Sequence, residues 1–130
     1  MKNKNIKEVT YNDIGEYHSI NDKPAIVWNN GNSYWYKNGL KHRENDLPAV
    51  EQTNGHKEWW TNGVLHRENG PAIINKYGVE FYYENDKRHR MNGPAVIWTD
   101  GTKEWWINGR KLTEETFKEW SADPKLIISK

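Results

Sequence analysis

The stretch from Lys57 to Ile74 reads KEWWTNGVLHRENGPAII, and close versions of it return both upstream and downstream. It holds an aromatic pair, an Asn-Gly, a His-Arg pair, a second Asn-Gly and a Pro-Ala ahead of a β-branched run. A chain built from one short unit folds by stacking like on like, because each unit is too small to bury its own apolar face. The units run His18–Lys41, His42–Leu65, His66–Arg88 and His89–Lys111, a period of 23–24 residues. The one-residue variation falls where Asn-Asp-x-Pro (21–24 and 45–48) replaces Asn-Gly-Pro (69–71 and 92–94). Residues 1–17 form a degenerate lead-in, where Tyr11-Asn12-Asp13-Ile14-Gly15 ahead of His18 mimics the order of the later units. Residues 112–130 break the pattern and complete a single domain.

Each unit reads as an antiparallel hairpin. Ile26-Val27-Trp28 and Val96-Ile97-Trp98 are short β-branched and aromatic runs that end at Asn30-Gly31 and Asp100-Gly101, with Asn54-Gly55 and Tyr77-Gly78 in the other units. Asn-Gly and Asp-Gly suit type I′ turns, in which both central residues take positive φ. A second run follows (SYWYK, KEWWT, EFYYE, KEWWI), closed by Asn38-Gly39, Asn62-Gly63, Asn85-Asp86 and Asn108-Gly109. Pro24, Pro48, Pro71 and Pro94 cannot donate to a ladder and belong at strand starts or bulges. The fold expected is all-β: an elongated antiparallel β-meander of four to five hairpin repeats, two strands to a unit. In the last segment, Thr113 as N-cap, Glu114 and Glu115 in the first turn, and Phe117 and Trp120 one turn apart predict a short helix over 114–121 that caps the open end. Pro124 stops it, and Leu126-Ile127-Ile128 reads as a final strand.

Composition narrows the function. Eight tryptophans in a chain of only 35% hydrophobic residues favour flat aromatic packing on sheets over a leucine-filled core. A net charge of +1 creates no field that steers the chain to nucleic acid or an anionic membrane. The absence of cysteine excludes disulfides, thiolate metal sites and thiol catalysis. With no apolar leader and no run long enough to span a bilayer, the expected setting is cytoplasmic, without a membrane partner.

Alternation along a strand sorts the repeated side chains into columns. Trp35, Trp59, Tyr82 and Trp105 form one aromatic column, and their neighbours Tyr36, Trp60, Tyr83 and Trp106 a second on the opposite face. Either both columns pack as cross-strand ladders, or one builds the sheet and the second offers a binding face. His18, His42, His66 and His89 repeat a whole unit apart, too far to converge on one ion, so they read as hydrogen-bonded residues of the turns and no metal is expected. Arg43, Arg67 and Arg90 follow them, with Ser19 in the first unit. They are candidates for partner binding through carboxylate or phosphate, or for bracing the neighbouring aromatics. Glu44, Glu58, Glu68 and Glu104 are close enough in sequence to neutralise them.

No phosphate loop, metalloprotease motif or nucleophile elbow occurs, and the carboxylates repeat with the units instead of forming one distinctive pair. Neither an enzyme nor a cofactor is expected.

The pattern H-R-x-N-G-P-A, a β run, D/N-G and then W-W-x-N-G resembles the variant MORN-type repeats found in proteins of phages, large DNA viruses and some bacteria, over about residues 11–111. The resemblance implies a hairpin-repeat sheet that serves as an interaction or scaffold surface without catalysis. Together these readings favour a non-enzymatic module that binds a macromolecular, most simply protein, partner. In a viral setting that partner would be a host factor, inhibited or sequestered in the host cytoplasm. The alternative is a small-ligand binder that holds a nucleotide, sugar or quaternary amine in aromatic cages between repeats. Single-stranded nucleic acid fits the charge less well, and the open sheet edges make a homodimer plausible.

Overall fold

The computed structural model describes residues 3–123. The run after each Pro-Ala forms a short strand: Ile26–Trp28, Val50–Glu51, Ile73–Ile74 and Val96–Ile97. Its partner across the turn is Ser33–Tyr34, Lys57–Glu58, Glu80–Phe81 or Lys103–Ile107. With Ile6–Val9 at one end and Arg110–Leu112 at the other, these make one ten-stranded antiparallel meander. At about 4.8 Å per strand step the sheet runs for roughly 43 Å. The protein is all-β with a short helix at its C-terminal end.

Within that sheet Ile26, Tyr34, Val50, Glu58, Ile73, Phe81, Val96 and Glu104 stand opposite one another in succession and so share one face, here called the front. Each prolyl residue lies two positions ahead of its strand, where its missing N–H leaves no ladder bond unmade.

Each unit contains two hairpins, which corrects the two-strand expectation. In the first three units the second run breaks at Trp35, Trp59 and Tyr82. Their N–H groups donate to Ala49, Ala72 and Ala95 of the next unit, while their carbonyls accept from His42, His66 and His89. These residues therefore serve two ladders at once, and the chain leaves the main sheet there. Beyond them, Tyr36–Lys37, Trp60–Thr61 and Tyr83–Glu84 pair with Leu40–Lys41, Val64–Leu65 and Lys87–Arg88 as separate small hairpins. The small hairpins are tied in a row of their own. The N–H of Gly63, Asp86 and Gly109 donates to the carbonyl of Lys41, Leu65 and Arg88 of the preceding unit, at 2.8–2.9 Å.

The two hairpins of a unit use different turns. At Asn38-Gly39 and its three equivalents both central residues take positive φ (48° and 82° at the first), the geometry of type I′. At Gly31 and its equivalents only the glycine does (φ 93°), and the Gly31 N–H bonds to the Trp28 carbonyl while Trp28 N–H bonds to Asn32. This is a type I turn followed by a left-handed residue that forms a bulge, not the type I′ expected from Asn-Gly. The Asn30 side chain explains its place there: its Oδ1 accepts from Asn32 N–H at 3.0 Å, as Asn54 and Asp100 do for His56 and Thr102.

The helix, Glu114–Ala122, begins at Thr113, whose hydroxyl accepts from Thr116 N–H at 3.0 Å. Phe117 and Trp120 are buried against Ile107, Leu112 and Trp105. Leu112 and Thr113 stand where a further His-Arg would begin the next unit, so the helix closes the stack in its place. At the other end, Ile6–Val9 pairs with Ile26–Trp28, and Tyr11 bridges Tyr17 in a shortened version of the small hairpin. The strand expected at 126–128, and Pro124 as helix stop, lie outside the described residues. Among the described residues no helix is long and apolar enough to cross a membrane.

Candidate binding face

The two aromatic columns have different fates. On the back of the sheet, Trp35 and Trp59 are 5% and 7% exposed, alternating with Ala25, Ala49, Ala72 and Ala95, which are completely buried. Alanine in every second place leaves room for an indole to lie against the sheet. The first three back aromatics are then roofed by the arginine of the next unit. The guanidinium carbon of Arg43 sits 3.8 Å from the Trp35 ring centroid, that of Arg67 3.9 Å from Trp59, and that of Arg90 4.0 Å from Tyr82.

The arginines are further committed by hydrogen bonds. Arg43 grips Asp22 with Nε and Nη2 at 3.0 and 3.2 Å, and Arg67 grips Asp46 at 2.9 and 3.3 Å. All three donate to the carbonyl of their own unit's proline, Pro48, Pro71 and Pro94, at 3.1–3.2 Å. Their guanidinium groups brace the stack, and Arg43 and Arg67 have no free fork to offer a partner's anion. The acids that neutralise them are Asp22, Asp46 and, for Arg43, Glu51 at 3.3 Å. Glu58 and Glu104, expected in that role, lie on the front face instead.

The histidine column works at the turns. Nδ1 of His18, His42, His66 and His89 accepts the backbone N–H of Asn38, Asn62, Asn85 and Asn108 at 2.9–3.2 Å. An accepting Nδ1 places the ring proton on Nε2, which in His42 faces Glu44 at 2.8 Å. That hydrogen bond above all holds the exposed Glu44 carboxyl below its ordinary range, against an opposing effect of desolvation and with Lys37 adding to it. Among the described residues no cluster of three metal-binding side chains occurs.

On the front, Tyr36, Trp60, Tyr83 and Trp106 are all half-exposed, as Tyr82 and Trp105 are on the back. Tyr11 stacks on Tyr17 at 5.6 Å and Tyr17 meets Tyr36 at 5.2 Å. Lys41, opposite Tyr36, places its ammonium 4.8 Å from the Trp60 ring and 5.9 Å from Tyr34. Two units on, Arg88 repeats the arrangement, 5.1 Å from Trp106 and 5.4 Å from Phe81. The gaps from Tyr36 to Trp60 and from Tyr83 to Trp106 are thus filled by the chain's own cations, whereas the buried Leu65 stands opposite Trp60 in the gap between them. Carboxylates hold the indoles: Trp60 donates to Glu58 at 2.7 Å, and both Trp106 and Trp98 donate to Glu104, at 2.9 and 3.0 Å. Burial works to raise the Glu104 carboxyl. The two indole N–H groups, with Lys111 and Arg88, outweigh it and hold it below the usual carboxylate range. Burial, with Tyr17 and Tyr34 adding to it, raises the Tyr36 hydroxyl.

Tyr34, Lys41, Phe81, Arg88 and Trp98 were not among the residues singled out from sequence. Two spacings point to the first four: two residues before the second aromatic on the same run (Tyr34, Phe81), and the position opposite it across the following turn (Lys41, Arg88). Trp98, 39% exposed, lies beside Phe81 at 6.0 Å, edge to face.

Two equivalent grooves of about 300 and 310 Å³ open between units, one bounded by His18, Asp22, Tyr36 and Arg43 and the next by His42, Asp46, Trp60 and Arg67. No known family model, curated protein or solved structure matches the chain.

Proposed function

We propose that this chain is a non-enzymatic repeat module, of the variant MORN type, that binds a protein partner through the front aromatic ladder. One observation carries the reading: Trp35 and Trp59 of the back column are buried under Arg43 and Arg67, while all four rings of the front column stay half-exposed, with Lys41 and Arg88 set between them. Exposed aromatic surface of this extent, with rings pre-set by hydrogen bonds and cations, is what a partner can cover at low entropic cost. The repeat resemblance alone extends this to a viral or phage protein that sequesters a host factor. The outward edge at Ile6–Val9 carries Lys7 and Glu8 and an irregular register, features that discourage edge-to-edge pairing, so a homodimer is the lesser reading.

The test is quantitative capture by the immobilised protein, compared with a Trp60→Ala/Trp106→Ala variant whose folding is checked by circular dichroism. A partner retained by the native face and lost on the variant supports the proposal. A partner held equally by both, or none, defeats it. The two equivalent grooves favour a second reading, a small ligand between units. A screen of nucleotides, sugars and quaternary amines should then raise the melting temperature, since any ligand specific to the folded state must stabilise it.

A further inference from the structure

The front face has a period of its own. Units one and three place Tyr34 and Phe81 in the main sheet with Lys41 and Arg88 on the small hairpins. Units two and four place Glu58 and Glu104 there, with Trp60 and Trp106 alongside. Each unit adds two strands to the main sheet, so the stack that carries the rings advances by about 9.6 Å per unit. Trp60 and Trp106, two units apart, are about 19 Å from each other on the same spacing.

That spacing discriminates among the shapes a peptide can take. In an extended strand, residues on one side recur every ~6.8 Å, so successive units meet opposite sides of the chain. Two turns of α-helix advance ~10.8 Å, which slips out of step by more than an ångström per unit. A polyproline II helix repeats every three residues, about 9.3 Å, and stays within roughly 1 Å of the ladder over three steps between units.

We infer that the front ladder is a track for a proline-rich polyproline II segment of a partner protein, with every third residue resting on the front ring of each successive unit. This rests on the front face being the binding face. The chemistry agrees with the spacing. Pyrrolidine rings carry no N–H, so they rest against aromatic surface without burying an unpaired donor. A polyproline II backbone keeps its carbonyls unpaired. The Tyr34 and Tyr83 oxygens already accept from Gln52 Nε2 and Arg88 Nε, at 3.4 and 3.3 Å, which leaves their own O–H groups to donate to such carbonyls. The face is close to neutral, since Lys111 and Glu104 approach to 3.9 Å and the cations lie over rings, so an uncharged segment suits it better than a polyanion.

The experiment uses the full chain with a twelve-residue peptide carrying proline at every third position in a proline-rich background. A peptide of the same length with glycines interrupting the polyproline II conformation is the control. Side-chain indole N–H resonances report the site without any substitution. Those of Trp60, Trp98 and Trp106 should move on saturation, while those of Trp35 and Trp59, bonded to the Asp22 and Asp46 carbonyls at 2.9 and 3.0 Å, should not. Trp60→Ala and Trp106→Ala should each weaken the peptide at least tenfold, and the glycine peptide should bind at least tenfold more weakly. If the proline peptide leaves the front indoles unmoved while the same substitutions abolish capture of a protein partner, the polyproline track is wrong and the binding face stands. If the peptide moves the back indoles, or binds the Trp60→Ala/Trp106→Ala variant undiminished, both are wrong. Preference for a linear oligosaccharide over the peptide would also overturn the inference.

Discussion

The first two units and the last two close the back of the sheet with different loops. Where the loop is Asn-Asp-x-Pro, Asn21 and Asp22, or Asn45 and Asp46, both take positive φ. The aspartate then works twice: its carbonyl accepts the indole N–H of Trp35 or Trp59, and its carboxylate grips Arg43 or Arg67. Where the loop is Asn-Gly-Pro that residue is missing, and the aromatic beneath Arg90 is Tyr82, which has no indole N–H to satisfy. Arg90 keeps its stack and its bond to Pro94 but pairs with no carboxylate among the described residues. Glycine leaves room here for the guanidinium, since a Cβ at Gly70 would lie 3.0 Å from Arg67 Nη1 and press it aside by a few tenths of an ångström. Ahead of the first unit, Thr10 makes the carbonyl contact to His18 that Trp35 makes to His42, and Ser19 stands in the arginine place. Aromatic and arginine thus disappear together. After the last unit, Phe117 meets Trp105 at 6.5 Å where no arginine follows. The aspartate of the longer loop goes with an indole and a gripped guanidinium in the first two units, while the shorter loop serves both Tyr82 under Arg90 and Trp105 under the helix.

The comparison can be broken most severely at the ring. Trp59→Ala, which removes a buried indole with its guanidinium stack, should cost about 3–5 kcal/mol in urea unfolding, and Tyr82→Ala, only half-buried, clearly less. Asp46→Ala should cost about 1 kcal/mol, and a double-mutant cycle with Arg67→Ala should return most of that as coupling. Arg90→Ala paired with any front-face carboxylate should return none. The difference can also be erased. Replacing Asn69-Gly70-Pro71 by Asn-Asp-Leu-Pro together with Tyr82→Trp should transplant the first type of closure and add up to ~1 kcal/mol; no gain would show that this closure is not modular.

The smallest effect expected is in acid. Hydrogen bonds from Arg43, opposed by desolvation and aided by its charge, hold the Asp22 carboxyl below its ordinary range. A carboxyl depressed in the folded state stabilises above its unfolded value near ~3.9 and loses that contribution as pH falls through the lower, folded value. Hydrogen exchange below that pH should therefore release the Trp35 amide, which bridges the first two units, before the Tyr82 amide, which bridges the last two. Asp22→Asn should remove the difference.

Much of this was legible along the chain. The helix expected over 114–121 is Glu114–Ala122, because Thr113 as cap and the Phe117–Trp120 spacing act within one turn. The strand positions and the antiparallel pairing follow from the β-branched runs and the residues that punctuate them. Turn type was less legible. Asn-Gly occurs at both turns of a unit, yet only the second is type I′, because the first holds an extra residue whose side chain bonds two positions ahead.

The sequence by itself determined the repeat, the all-β class, the end cap and the division of adjacent aromatics onto opposite faces, since all of these depend on neighbours or on strict alternation. Which column would be buried was decided only by the tertiary structure. Trp59 and Trp60 are the same residue type side by side. One meets an alanine row, the Asp46 loop and Arg67 from the next unit, while the other meets Lys41 from the unit before and Glu58 beside it. Those partners lie about a repeat away or across a strand, and only stacking brings them into contact.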